Sequence, residues 1–199
     1  LKEFYNNDIN NNRKNPASVR CSLKPMDWLM ADGAKGLNLT QCGMFLIPRG
    51  LIEKSGLWNG ELSLIDDFEF FCRLIPNAKE IIYNPESIVY YRKDVPNSLS
   101  NISGDRALQS AFIALSTVTR SLLEKEDSYR VKKALAQYWS GWIYHFYYHR
   151  PDYYSAGAKQ FFALTGKKYS PSNQGITGIL DRLIGWKLTK KIKIKYSGR

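Results

Sequence analysis

Leu64-Ile65-Asp66-Asp67-Phe68-Glu69-Phe70-Phe71-Cys72-Arg73 is the stretch on which the reading of this chain turns. Three carboxylates, Asp66, Asp67 and Glu69, fall within four positions and interleave with Phe68, Phe70 and Phe71. Carboxylates packed beside aromatic rings lose solvent and repel one another, and both effects raise the pKa of at least one of them. A group poised in that way is a candidate general base. A structural reading stands beside this one. Asp66 or Asp67 caps a short helix, Glu69 lies in its first turn, and Phe70 and Phe71 face the core. Glu69 then pairs with Arg73, four residues on.

The flanks extend the pattern. Gly43-Met44-Phe45-Leu46-Ile47-Pro48-Arg49 is a short apolar run ended by Pro48, expected as a buried strand. Residues 51–55 predict one or two helical turns stopped by Gly56. Leu57-Trp58-Asn59-Gly60 predicts a turn carrying an exposed aromatic. Lys79-Glu80-Ile81-Ile82-Tyr83 and Ser87-Ile88-Val89-Tyr90-Tyr91-Arg92, parted by Asn84-Pro85-Glu86, predict two short strands.

In this order the residues resemble the second half of a family 2 glycosyltransferase of the GT-A fold, over about residues 40–100. The run from Gly43 to Arg49 is similar to the strand lining the acceptor side, and Ser55-Gly56-Leu57-Trp58 to the Gly-rich turn. The stretch from Asp66 to Arg73 is similar to the acidic motif Glu-Asp-x-Asp-Leu-x-x-Arg. Tyr90-Tyr91-Arg92 with Ser98-Leu99-Ser100 is similar to the strand and Ser-rich loop that follow. The resemblance implies an α/β class: a partial GT-A-like sheet with flanking helices, then an α-helical C-terminal extension. The acceptor-side half would occupy 1–103 and the extension 104–199.

The resemblance also implies inverting transfer from a nucleotide-sugar donor to a hydroxyl of a glycan or lipid-linked acceptor. Asp67 is the implied general base, and Asp66 stands where Glu is usual. Glu69 orients the helix through Arg73, and with Trp58 and Arg92 it is placed on the substrate-binding side. Trp58 either stacks on an acceptor sugar or is a partly buried turn aromatic. Arg92 and Lys93 replace a frequent His near the leaving phosphates, offering positive charge, or else they serve as edge-strand charges.

The chain also departs from the family. A divalent metal, Mg or Mn, is implied, but its usual Asp-x-Asp ligand motif is absent; Asp8 stands alone and Asp32-Gly33-Ala34 does not fit. No Gly-rich phosphate loop follows a strand. Residues 6–15 form a polar run expected as a mobile loop. The chain is therefore expected to be the base-bearing, acceptor-side portion of a longer enzyme, so that transfer by this portion alone is in question.

Net charge is +11, unevenly spread. Residues 182–199 carry Arg182, Lys187, Lys190, Lys191, Lys193, Lys195 and Arg199 and no acid. Such asymmetry points to an anionic partner, lipid or nucleic acid. Cys21, Cys42 and Cys72 are widely spaced and odd in number, as expected of thiols in a reducing compartment. No leader is read at the start, and no apolar run is long enough to span a bilayer. The expected location is cytoplasmic, at the inner face of the membrane. The tripeptides starting at Asn38 and Asn101 match the glycosylation pattern, which a cytosolic chain would not use.

Beyond residue 104 the periodicity is helical. Leu108, Phe112, Leu115, Val118 and Leu122 predict a helix over about 105–125. Val131, Leu135, Tyr138, Trp139, Trp142 and Phe146 predict a second from about Ser128, and further helices are expected over 152–165 and 175–190. His145 and His149, four apart, read as packed or surface histidines rather than metal ligands. Ile176, Ile179, Leu180, Leu183, Ile184, Trp186 and Leu188 form an apolar side flanked by basic residues. It predicts either peripheral membrane contact through 176–199, with Trp186 at headgroup level, or a helix docked on protein. The competing function is a non-enzymatic basic helical module binding anionic lipid or nucleic acid. No specific nucleic-acid motif is present.

Overall fold

The computed structural model describes residues 2–5, 8–14, 21–31, 42–92 and 104–197. Asp32, the tripeptides at Asn38 and Asn101, Lys93 and the 93–100 loop, and Arg199 lie outside them. The chain divides into two compact units, Leu1–Leu135 and Ala136–Arg199.

In the first unit α1 (Pro25–Met30) opens on a proline, whose fixed φ suits a helix start, and buries Trp28 and Leu29. The helix α2 (Arg49–Ser55) follows Pro48 and stops at Gly56. The acidic run forms α3 (Asp66–Leu74), continued by a 3-10 turn over Ile75–Asn77. The long helix α4 (Asp105–Lys125) buries Ala107, Ser110, Ala111, Ala114, Leu115, Val118, Thr119 and Leu122, a face repeating every three to four residues. Its alanines let α3 pack close against it. Thus α4, expected to open the helical extension, belongs with the acidic helix.

The expected fold class is corrected. Among the described residues no α/β, GT-A-like sheet forms, and the described chain is predominantly helical. The run 43–49 begins as a 3-10 turn over Cys42–Met44, and Leu46 is fully exposed. In 79–83 only Ile81 pairs, through a single bridge to Leu23, while Ile82 is exposed. Among the described residues, strand backbone is confined to β1 (Lys2–Tyr5), β2 (Asp8–Lys14) and β3 (Tyr90–Arg92), in the order β2-β1-β3. Here β1 pairs antiparallel with β2 and parallel with β3, so residues 8–14 of the polar run expected as a loop are instead strand backbone. Parallel α/β sheets require strands apolar on both faces. The described core side chains come instead from helices and adjoining loops.

The break between units falls inside α5 (Tyr129–His149). Within the second unit, α5 buries Trp139, Ile143 and Phe146. The helix α6 (Pro151–Thr165) packs through Gly157, where an added Cβ would lie 2.9 Å from Ile143 and 3.2 Å from Trp139. The single helix expected over 175–190 is two. Gly185, at φ 79°, separates α7 (Gly175–Ile184) from α8 (Trp186–Ser197). Trp186 is partly buried; its ring lies 4.8 Å from Tyr147, 5.6 Å from Tyr169 and 6.2 Å from both Tyr144 and Tyr154.

Candidate functional site

The site is built on the first turn of α3. Its entry residue, Ile65, has φ 51°, a left-handed conformation unfavourable for a β-branched side chain. Neighbouring bonds hold it there. The buried Ser110 hydroxyl on α4 accepts from the Ser63 and Leu64 amides, both at 3.0 Å, and donates to the Leu64 carbonyl at 2.7 Å. Local strain sustained by surrounding contacts is a recurrent property of functional sites.

Asp66 and Asp67 follow at once, both half-buried. Neither is the cap residue of the helix; that position is Ile65. Asp66 Oδ2 accepts the Trp58 indole N–H at 3.1 Å. Asp67 Oδ1 accepts the Phe68 amide at 2.7 Å. Burial raises the Asp67 pKa above the ordinary carboxylate value, and the Asp66 charge adds to this, against the lowering effect of the Phe68 amide. Asp67 is thus a partly open carboxylate with increased proton affinity.

Glu69 is placed differently. It is 3% exposed and tied to Arg73, with Nε donating to Oε1 at 2.8 Å and Nη2 to Oε2 at 3.3 Å. The same guanidinium reaches back to the end of α2. Nη1 donates to the carbonyls of Ser55 and Gly56, and Nη2 to that of Leu57 at 2.9 Å. Helix C-termini leave carbonyls without intrahelical partners, and here one cation gathers them. Gly56 is required at this approach: its φ is 86°, and a Cβ would lie 3.0 Å from Arg73 Nη1. Asn77 completes the clamp, donating to Ser55 Oγ at 3.2 Å and to the Arg73 carbonyl at 3.1 Å.

The clamp fixes the turn that carries Trp58. The indole ring packs on Phe70 (centroids 4.7 Å apart) and against the edge of Phe71 (6.1 Å), and it keeps 38% exposure. Phe71 continues the aromatic string to Phe45 at 4.4 Å, and Phe45 meets Trp28 at 5.5 Å. Beside the turn is a cleft of about 200 Å³ lined by Asn59, Glu61, Arg106 and Gln109 among others.

The structure therefore brings together Trp58, Asp66, Asp67, Glu69 and Arg73. Arg92 is exposed in β3, in a backbone ladder with β1. Sequence reasoning paired Arg73 with Glu69 but missed its grip on the 55–57 carbonyls and the Ser110 pin. Neither leaves a local signal, because each joins segments separated in sequence. Among the described residues no group of three His, Cys, Asp or Glu side chains is placed to hold a metal ion. Asp66 and Glu69 are already engaged with Trp58 and Arg73, so the acidic helix does not supply the implied metal's donor set. No described helix is long and apolar enough to cross a membrane. Protein families, curated proteins and solved structures were compared with the chain, and none matches.

Proposed function

We propose that the acidic helix is the base-bearing part of a glycosyltransferase site, acting on a nucleotide-sugar donor and a sugar hydroxyl acceptor. The observation that carries this reading is Asp67: half-buried, raised in pKa, and held at the start of a clamped helix. A sugar hydroxyl is a weak nucleophile, and a positioned base speeds its attack by about 10²–10⁴-fold. Asp67 takes the hydroxyl proton as that oxygen bonds to the anomeric carbon. The bond to the nucleoside diphosphate breaks, the leaving group keeps the electron pair, and the stereocentre inverts. The exposed part of Trp58 offers a stacking surface for the acceptor ring. The cleft lined in part by Asn59, Glu61, Arg106 and Gln109 adds polar groups beside the Trp58 turn. No step is assigned to a metal.

The test is Asp67→Asn in the longest natural polypeptide that carries these residues, assayed by nucleoside diphosphate release from nucleotide-sugars with glycan acceptors. The expected loss in kcat is about 10²–10⁴-fold. A raised folded pKa means that the ionised carboxylate costs stability as pH rises through that pKa. The Asn variant is therefore expected to be at least as stable as the parent near neutral pH. An active Asn variant, or one that has lost activity only through unfolding, refutes the assignment.

A further inference from the structure

The helix α8 carries two parallel rows whose chemistry the transfer reading does not use. Leu188, Ile192 and Tyr196 recur every four residues and are 49%, 38% and 78% exposed. Lys187, Lys191 and Lys195 recur at the same spacing one position earlier and are all exposed. Residues three and four apart on a helix are neighbours, so Lys191 and Lys195, three residues past Leu188 and Ile192, flank the apolar row. The adjoining helix α7, packed against α8, leaves Ile176, Ile179 and Leu183 exposed as well. Several large apolar side chains left exposed on two neighbouring helices are a feature of interaction sites.

The charge around it is one-sided. Residues 175–197 hold Arg182, Lys187, Lys190, Lys191, Lys193 and Lys195 against the single acid Asp181. Internal packing engages some of these cations. Lys190 Nζ sits 4.0 Å over the Tyr144 ring, and Lys193 Nζ donates to Thr177 Oγ1 at 3.1 Å. Lys187 Nζ also lies 5.4 Å from the Tyr154 ring and Lys195 Nζ 5.7 Å from that of Tyr196, yet Lys187, Lys191 and Lys195 all stay exposed beside the aliphatic row. Nucleic acid would pair with the lysines and leave the leucine and isoleucines in water. An anionic bilayer satisfies both, with phosphates at the lysine heads and the aliphatic row in the headgroup–acyl boundary.

We infer that the exposed face of α8, extended by α7, docks flat on an anionic lipid surface. The inference does not rest on the transfer chemistry. It places the contact on the exposed rows rather than on Trp186, whose ring packs among tyrosines. The contact is peripheral, in keeping with the absence of a membrane-spanning helix among the described residues.

The test is flotation of the whole chain with phosphatidylcholine vesicles, with and without about 30 mol% phosphatidylglycerol. Binding is expected only with the anionic lipid and is expected to weaken as salt rises. Replacing Lys187, Lys191 and Lys195 by Gln should lower affinity about 100-fold, from about fivefold per basic residue. Leu188→Ser with Ile192→Ser should release the protein from anionic vesicles while circular dichroism is unchanged, since both side chains are substantially exposed. Equal binding to neutral vesicles, no binding at all, or insensitivity to either set of substitutions overturns the inference. So does tighter binding to duplex DNA than to anionic vesicles at the same salt concentration.

Discussion

Replacing Arg73 by Met tests the clamp that organises the candidate site. The substitution keeps much of the side-chain length and removes the guanidinium. Glu69, at 3% exposure, then keeps its carboxylate with no cation beside it, and the carbonyls of Ser55, Gly56 and Leu57 lose their shared donor. Breaking a buried ion pair by removing one partner costs about 3–5 kcal/mol, because the remaining charge is left uncompensated. The carbonyls add little, since the end of α2 is largely open to water. Urea denaturation followed by tryptophan fluorescence measures the loss. Hydrogen exchange across residues 66–77 assigns it to the first unit, which matters in a chain of two units. A second variant separates charge from packing. Glu69→Leu combined with Arg73→Met removes both charges and is expected to fall only about 1–2 kcal/mol below the parent. The double variant should therefore be more stable than the single. If Arg73→Met costs less than about 1 kcal/mol, or if the double variant is as damaged as the single, the uncompensated-charge reasoning is wrong.

Two further outcomes follow from the packing and the ion pairs. Gly157→Ala places a methyl 2.9 Å from Ile143 Cγ1 and 3.2 Å from Trp139. Overpacking of about 1–3 kcal/mol should outweigh the helix-propensity gain, so thermal melting should show destabilisation, and a stabilised variant contradicts the close approach. Arg130 holds the Glu126 carboxyl at about 2, with a further hydrogen bond from Ser128. Because that pKa is depressed, the stability it contributes is present above the ordinary carboxylate value and is lost as pH falls through about 2. Arg130 is 46% exposed, so solvent screening limits the contribution to under about 1 kcal/mol. The parent and Glu126→Gln should therefore converge in stability as acid is added, and a pH-independent gap between them refutes the assignment.

Helical content in the second half was legible because its apolar residues repeat over long windows. The helices over 105–125 and 152–165 appear as α4 and α6 within a residue. Glycine punctuation was equally legible at Gly56 and Gly166, where positive φ values end helices. Of the expected strands, only the end of 87–92 forms one, as β3, while 43–49 and 79–83 do not. Five or six apolar residues do not distinguish a buried strand from an irregular segment, and Leu46 and Ile82 are exposed with no sheet to cover them. The Gly185 break was missed because the apolar spacing continues across it.

At the site itself, the sequence alone determined the acidic helix, its Glu69–Arg73 spacing and the presence of an aromatic turn, since these depend on residues within a few positions of one another. Tertiary structure decided the rest. It buried Glu69 while leaving Asp67 partly open, carried Arg73 to the end of α2, joined Trp58 to Asp66, and turned Trp186 inward. Burial and long-range hydrogen bonds depend on which segments meet in space, and it is these, rather than local order, that set the proton affinity and accessibility of a carboxylate.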